Sequence, residues 1–318
     1  MANVALTQPD SRVIVLEPKK QKAESLLRLT FNRFIRHRAA VLGTALLTFI
    51  ILYVTVGTLF VTEAAGNRTN IMDKYAAPSI EHPFGTDEVG RDVFARTIYG
   101  GQISLMIAIA AMIIATTLGT LVGLVSAYFG GIIDAILMRF VEALLAIPAL
   151  VLLLLLSRQL AGNTTEIMVL GRQLSATVII IVVIIGLTSW MRLSRIIRAQ
   201  VLTLKEQEFV QAARLLGASD ARIIFGHILP NCIAPIVVAA TLEVGSAIIT
   251  EAYLSFLGFG VMPPTATWGN ILTRSRDVLD QYPWMWMAPG ALIVITTLAI
   301  NFIGDGLRDA LDPRMKNV

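Results

Sequence analysis

The stretch "EFVQAARLLGASDARIIFGHILPN", Glu208 to Asn231, decides how the rest of the chain is read. It is amphipathic, charged and punctuated by Gly217, too polar to cross a bilayer, yet it interrupts a sequence that is otherwise strongly apolar. From Lys205 to Leu216 the residues favour a helix, Gly217 has the left-handed freedom that ends one, and Ser219 with Asp220 supplies the cap of a second. Helix, sharp turn, helix is therefore expected. Ile223, Ile224 and Phe225 carry the second helix toward Pro230, where an apolar run takes over. Ala212 and Ala213 add a small surface at which another backbone can approach closely. Residue by residue, such a block reads as an interfacial linker with ordinary caps; taken whole, it reads as a peg held at the membrane by the helices on both sides.

Composition agrees with a membrane setting. Of 318 residues, 55% are hydrophobic and only 15% charged, a balance that a water-soluble globule of this size would find hard to keep dispersed. The single cysteine, Cys232, excludes an internal disulfide and reads as a packing residue, and His37, His82 and His227 are too scattered to form a metal cluster. No metal site and no cofactor is expected. Lysines and arginines gather beside the apolar runs, which is a topological pattern, and no nucleic-acid partner is expected.

Crossing about 30 Å of hydrocarbon takes about 20 helical residues. Six runs qualify: Ala39 to Thr62, Thr97 to about Tyr128, Ile132 to Leu156, Ser175 to Trp190, Pro230 to about Tyr253, and Met287 to Ile303 with Pro289 in its first turn. The expected fold class is all-α, a polytopic membrane protein with six transmembrane helices in the lipid bilayer. Residues 1–38 form an N-terminal segment whose stretch from Ser25 to Arg38 suits a helix lying on the membrane surface, and 39–62 a retained first anchor. Residues 63–101 form an extracytoplasmic segment, 102–305 the core with its loop at 205–227, and 306–318 a tail. Lys19, Lys20, Lys22, Arg28, Arg33, Arg36 and Arg38 before the first run, and Arg192 to Arg222 between the fourth and fifth, put both segments in the cytoplasm. With six crossings the C-terminal end falls there too.

Gln211-Ala212-Ala213, three residues, Gly217, nine residues, then His227-Ile228-Leu229-Pro230 resembles the EAA loop of bacterial ABC importer permeases. Gln211 stands where that pattern has Glu, and His227 where it has Ile. "HPFGTDEVGRDVFARTIYGGQISL" (His82 to Leu105), "EAYLSFLGFGVMPPTATWGNIL" (Glu251 to Leu272) and "GDGLRDALDPR" (Gly304 to Arg314) resemble the dipeptide/oligopeptide (nickel) branch of that family, specifically its C-type second permease subunit. The resemblance implies a type I ABC importer permease fold. It also implies that Glu208, Gln211, Ala212, Ala213, Gly217, Ala218, Ser219 and Asp220 form a coupling helix seated in a cytoplasmic ATP-binding subunit. Two such subunits, a second related permease and an extracytoplasmic substrate-binding protein complete the implied assembly. Its implied cargo is a short peptide, with nickel, glutathione or another small solute as alternatives.

The chain holds no Gly-Lys dipeptide and so no phosphate-cradling loop of the Gly-x4-Gly-Lys-Ser/Thr kind. It is not expected to be an enzyme. A secondary transporter driven by an ion gradient is the alternative from another class, and would carry paired repeats with broken helices at midplane, which the sequence does not display. Glu243 lies roughly 18 Å along the fifth run from Asn231, and Ser246 and Thr250 follow on the same face, a stripe suited to the wall of a water-filled route, with a protonated Glu243 hydrogen-bonded across a permease pair as the alternative. Arg139, the obvious cation, sits near Asp134 with Glu142 beside it, which leaves Glu243 without an evident partner at its depth. Arg192, Arg195 and Arg198 suit snorkelling into anionic headgroups, with acidic residues of a partner as the second reading. Trp268, Trp284 and Trp286 read as an outer aromatic belt, Thr86 or Asp87 as the cap of a short interfacial helix, and Gly304-Asp305-Gly306 as the end of the last helix.

Overall fold

A computed structural model describes residues 26–160, 166–169 and 172–312. Its helices are α1 Leu26–Arg36, α2 Arg38–Val56, α3 Glu63–Asn67, α4 Val93–Phe129, α5 Gly131–Leu145 and α6 Ala149–Leu160. After a hairpin of two strands, β1 Glu166–Val169 and β2 Arg172–Ser175, come α7 Thr177–Leu204, α8 Glu208–Leu215, α9 Asp220–Ile223, α10 Leu229–Phe256, α11 Trp268–Ser275 and α12 Trp284–Leu311. Among the described residues, five stretches are long and apolar enough to cross a membrane singly: Arg38–Leu59, Val93–Phe129, Thr177–Leu204, Asp220–Phe256 and Trp284–Leu311. The third expected crossing is not one straight helix. It is α5 and α6 meeting at 85°, because Pro148 has no N–H to give to the Leu144 carbonyl and disfavours helical geometry at Ile147. One antiparallel hairpin, pairing Ile167 with Leu174, is set into this otherwise helical chain.

Close approach of α4 and α7 depends on missing side chains. A Cβ on Gly119 would meet the Trp190 carbonyl oxygen at 2.8 Å, and one on Gly123 the Ser194 carbonyl oxygen at 2.6 Å. Behind this seam Ile107, Ile181, Ile185, Ile248 and Trp268 form a fully buried core. Ile113, Phe49 and Val294 point outward more than half exposed, as apolar side chains do on surfaces that face lipid.

Several terminal devices differ from the expected ones. Asp92, not Thr86 or Asp87, caps α4, accepting a 2.7 Å bond from the Ala95 N–H. Thr86 and Asp87 are buried in a folded loop, where Asp87 pairs with Arg91 at 2.6 Å. Trp268 is no belt residue: it is fully buried and donates its indole N–H to the Thr97 carbonyl at 2.8 Å, because the Thr267 capping box turns α11 into the core. Helix α12 begins before Met287, so Pro289 lies inside it, and the helix runs straight through Gly304 and Gly306 to Leu311. Those glycines serve contact instead; a Cβ on Gly306 would meet the Cβ of Ala40 at 2.3 Å.

Candidate functional site

The loop after α7 is built as a seat and a tip. Val210, Ile223, Ile224 and Ile228 are buried against Leu124, Leu193, Ile197 and Val201 of α4 and α7. Phe209, Ala212, Leu215, Leu216 and Gly217 are exposed, Leu215 and Leu216 at 89% and 87%. Ala213 and Ala218 turn inward and pack on the buried cluster, so only Ala212 of the alanine pair lies on the outer surface. At the tip, Gly217 adopts φ +80°. The Gly217 N–H bonds the Arg214 carbonyl at 3.0 Å and the Ala218 N–H bonds that of Ala213 at 3.1 Å, the paired bonds of a Schellman turn.

The loop's polar residues fasten it from beneath. Gln211 donates from Nε2 to the Glu206 carbonyl at 3.1 Å, a bond that a glutamate could not make. Ser219 precedes α9 without a side-chain capping bond, and Glu208 opens α8 on its exposed side. Asp220 instead accepts a 2.6 Å bond from the hydroxyl of Tyr128 at the end of α4, which Arg214 overlies at 5.8 Å from the ring centre. Lys205 donates to the Ala127 carbonyl at 3.1 Å. Asp134 of α5 is held bidentately by Arg198 at 2.6 and 2.5 Å and also accepts from Ser126, so Arg198 serves an ion pair within the chain rather than a lipid headgroup. Sequence reading missed Tyr128 and Asp134 as anchors, because their partners lie 92 and 64 residues away.

A second arrangement lies deeper. Glu243, Ser246 and Thr250 of α10 face Thr188, Ser189 and Arg192 of α7 across a cavity of 300 Å³ whose third side is the α5–α6 bend. A neighbouring cavity of 180 Å³ repeats Ser189, Arg192, Glu243 and Ser246. Thr250 already donates its hydroxyl to the Ser246 carbonyl at 2.8 Å. Oε1 of Glu243 has no hydrogen-bond partner, though Ser189 lies within reach of the carboxyl group and the Arg192 charge acts on it. Arg192 is a cation that lines the same cavities as Glu243 without forming an ion pair with it, and the sequence reading did not bring the two together. Arg139 pairs at 3.5 Å with Glu142, as their spacing implied. Among the described residues, no group of three or more His, Cys, Asp or Glu side chains is placed to hold a metal ion.

Loop, bent helix pair and polar cavity together make a multi-pass membrane transport subunit, and sequence comparison gives its class. Residues 117–317 match the model of the binding-protein-dependent transport system inner membrane component family, and residues 25–78 that of the N-terminal transmembrane domain of oligopeptide transport permease C. The chain belongs to this family, whose members are permease subunits of ABC transport systems and are not themselves catalysts. It is 47% identical over 285 residues, 89% of each chain, to a Brucella suis biovar 1 protein provisionally named a peptide permease. It is 38% identical over 300 residues, 94% of this chain and 93% of the relative, to the oligopeptide transport system permease protein OppC of Bacillus subtilis. A crystal structure of an amino acid ABC transporter with histidines is 21% identical, covering 65% of this chain and 90% of that one at a TM-score of 0.45.

Proposed function

We propose that this chain forms half of the translocation path of an ATP-driven importer of short peptides. A second, related permease supplies the other half, two ATP-binding subunits sit on the cytoplasmic side, and an extracytoplasmic binding protein delivers the cargo. In this reading residues 1–38 and 306–318 are cytoplasmic, 39–62 anchor the chain, 63–101 face outward and 102–305 form the permease core with its coupling loop at 205–227. Glu208, Gln211, Ala212, Ala213, Gly217, Ala218, Ser219 and Asp220 make the coupling element, while Glu243, Ser246 and Thr250 line the path. The names of the relatives, peptide permease and oligopeptide permease, favour peptide cargo over nickel, glutathione or an ion-coupled solute.

The observation that carries the coupling assignment is the division of the loop into a buried seat and a bare apolar tip. Leu215 and Leu216 are exposed at the end of a polar loop, where they cost solubility unless a partner covers them. Gly217→Val tests it. A β-branched side chain at φ +80° is strained, while nothing lies within 4 Å of the added Cβ, so the damage is confined to the turn. In proteoliposomes holding the assembled transporter, ATP-driven trialanine uptake should fall roughly tenfold, which corresponds to about 1.4 kcal/mol. Full uptake by Gly217→Val, or uptake driven by an ion gradient without ATP, defeats the assignment.

A further inference from the structure

Neither Glu243 nor Arg192, in the cavity between α7 and α10, is taken up in an ion pair of the fold. Glu243 and Arg192 line both parts of it, yet they do not close into an ion pair within 4.0 Å. Arg198, six residues further along α7, is bound to Asp134 and Arg139 to Glu142, so the nearby structural pairs are complete without them. Arg192 is exposed and has no side-chain hydrogen bond among the described residues, and Oε1 of Glu243 is unsatisfied. An ionised carboxylate at this depth is costly unless a cation or water accompanies it. Ser189 and Ser246 add hydroxyls that both donate and accept, and Leu144, Leu145 and Leu152 supply an aliphatic floor at the α5–α6 bend.

We infer that Glu243 and Arg192 form a two-point site for a zwitterion in transit, the carboxylate meeting the cargo's ammonium group and the guanidinium its terminal carboxylate. This assignment rests on the peptide-permease reading. It differs from a single acidic wall because both ends of the cargo are read, so capping either end weakens occupancy.

Ser246 lines the cavity and is exposed, so Ser246→Cys in a Cys232→Ala background reports occupancy through its maleimide reaction rate. In the assembled transporter trialanine should slow labelling, with N-acetyl-trialanine and trialanine amide needing roughly fivefold higher concentrations, the size of a solvent-shared charge contact. Glu243→Gln should abolish the penalty for N-acetylation alone, and Arg192→Gln the penalty for amidation alone, with copurification of the ATP-binding subunits confirming that each variant assembles. If both variants keep both penalties, the site is overturned although the parent still imports trialanine. If the parent imports no trialanine, the peptide reading fails and the site with it.

Discussion

Glu251 illustrates how one residue can hold three helices together. It is fully buried, and it accepts from Ser104 Oγ of α4 at 3.1 Å and from Ser255 Oγ, one turn along α10, at 2.8 Å. Ser104 in turn accepts from the Trp268 N–H at the start of α11, at 3.2 Å. Glu251→Ala would leave two buried hydroxyls short of an acceptor and open a cavity, each orphaned group costing about 1–3 kcal/mol. We expect this variant to unfold in detergent at a clearly lower temperature than the parent, and Glu251→Gln, which keeps an acceptor and the volume, to lose much less. Equal melting of the two variants would mean that the network does not hold the helices. The residue was legible as part of a recognisable sequence block, but its role was not, since Ser104 lies 147 positions away. Trp268 was misread for the same reason: an indole beside an apolar run looks alike whether it faces a headgroup or donates to a carbonyl inside the core.

At the scale of elements, what matters is how the α8–α9 loop is joined to the bundle. Its seat is apolar, and side-chain bonds tie it to the end of α4 from Tyr128 to Asp220 and, at the start of the loop, from Lys205 to the Ala127 carbonyl. Movement of the tip therefore reaches α4 through a hydrophobic surface and two directed contacts, of which Tyr128–Asp220 is the one that starts beyond the turn at Gly217. Tyr128→Phe keeps the ring beneath Arg214 and removes the bond, which to a partly exposed carboxylate is worth about 1 kcal/mol. ATP-binding subunits should still copurify, while peptide moved per ATP hydrolysed drops about fivefold. An unchanged ratio would show that the Tyr128–Asp220 bond plays no part in transmitting the motion. Helix positions were readable because apolar runs and Gly217 are local signals. Pro148 was itself a local signal for the bend, outweighed by the apolar residues on both sides of it from Ala143 to Leu156, and the β1–β2 hairpin is held by Arg172 to Glu63 and Gln102, partners 109 and 70 residues away that no local pattern reveals.

For the whole molecule the issue is parity. Tyr128 and Lys205 bring the end of α4 and the end of α7 to the loop, whereas Ser175, just before α7, donates its backbone N–H to the hydroxyl of Thr265 beyond α10, at the opposite end. The chain therefore passes from one end of the bundle to the other between Phe129 and Thr177, and we expect α5 with α6 to be a complete crossing rather than a re-entrant turn. At about 1.5 Å per residue, α5 spans roughly 22 Å and α6 roughly 18 Å, enough in sum even with an 85° bend. Six crossings bring the end of α12 back beside the start of α2, where His37 meets Asp309 at 3.3 Å and Arg33 reaches the Asp312 carbonyl at 3.3 Å. That end also carries the loop, since Asn231, Arg308 and Asp312 line one cavity. In a Cys232→Ala background, cysteines placed at the exposed Ser79 and Ser219 should then react with an impermeant maleimide from opposite sides of the membrane, Ser219→Cys from the cytoplasmic side if the Lys and Arg bias sets the orientation. Labelling of both from one side would reduce the crossings to an odd number and demote the α5–α6 pair to a re-entrant element, while opposite labelling with the sides exchanged would keep the six-helix fold and remove the loop from the reach of any cytoplasmic ATPase.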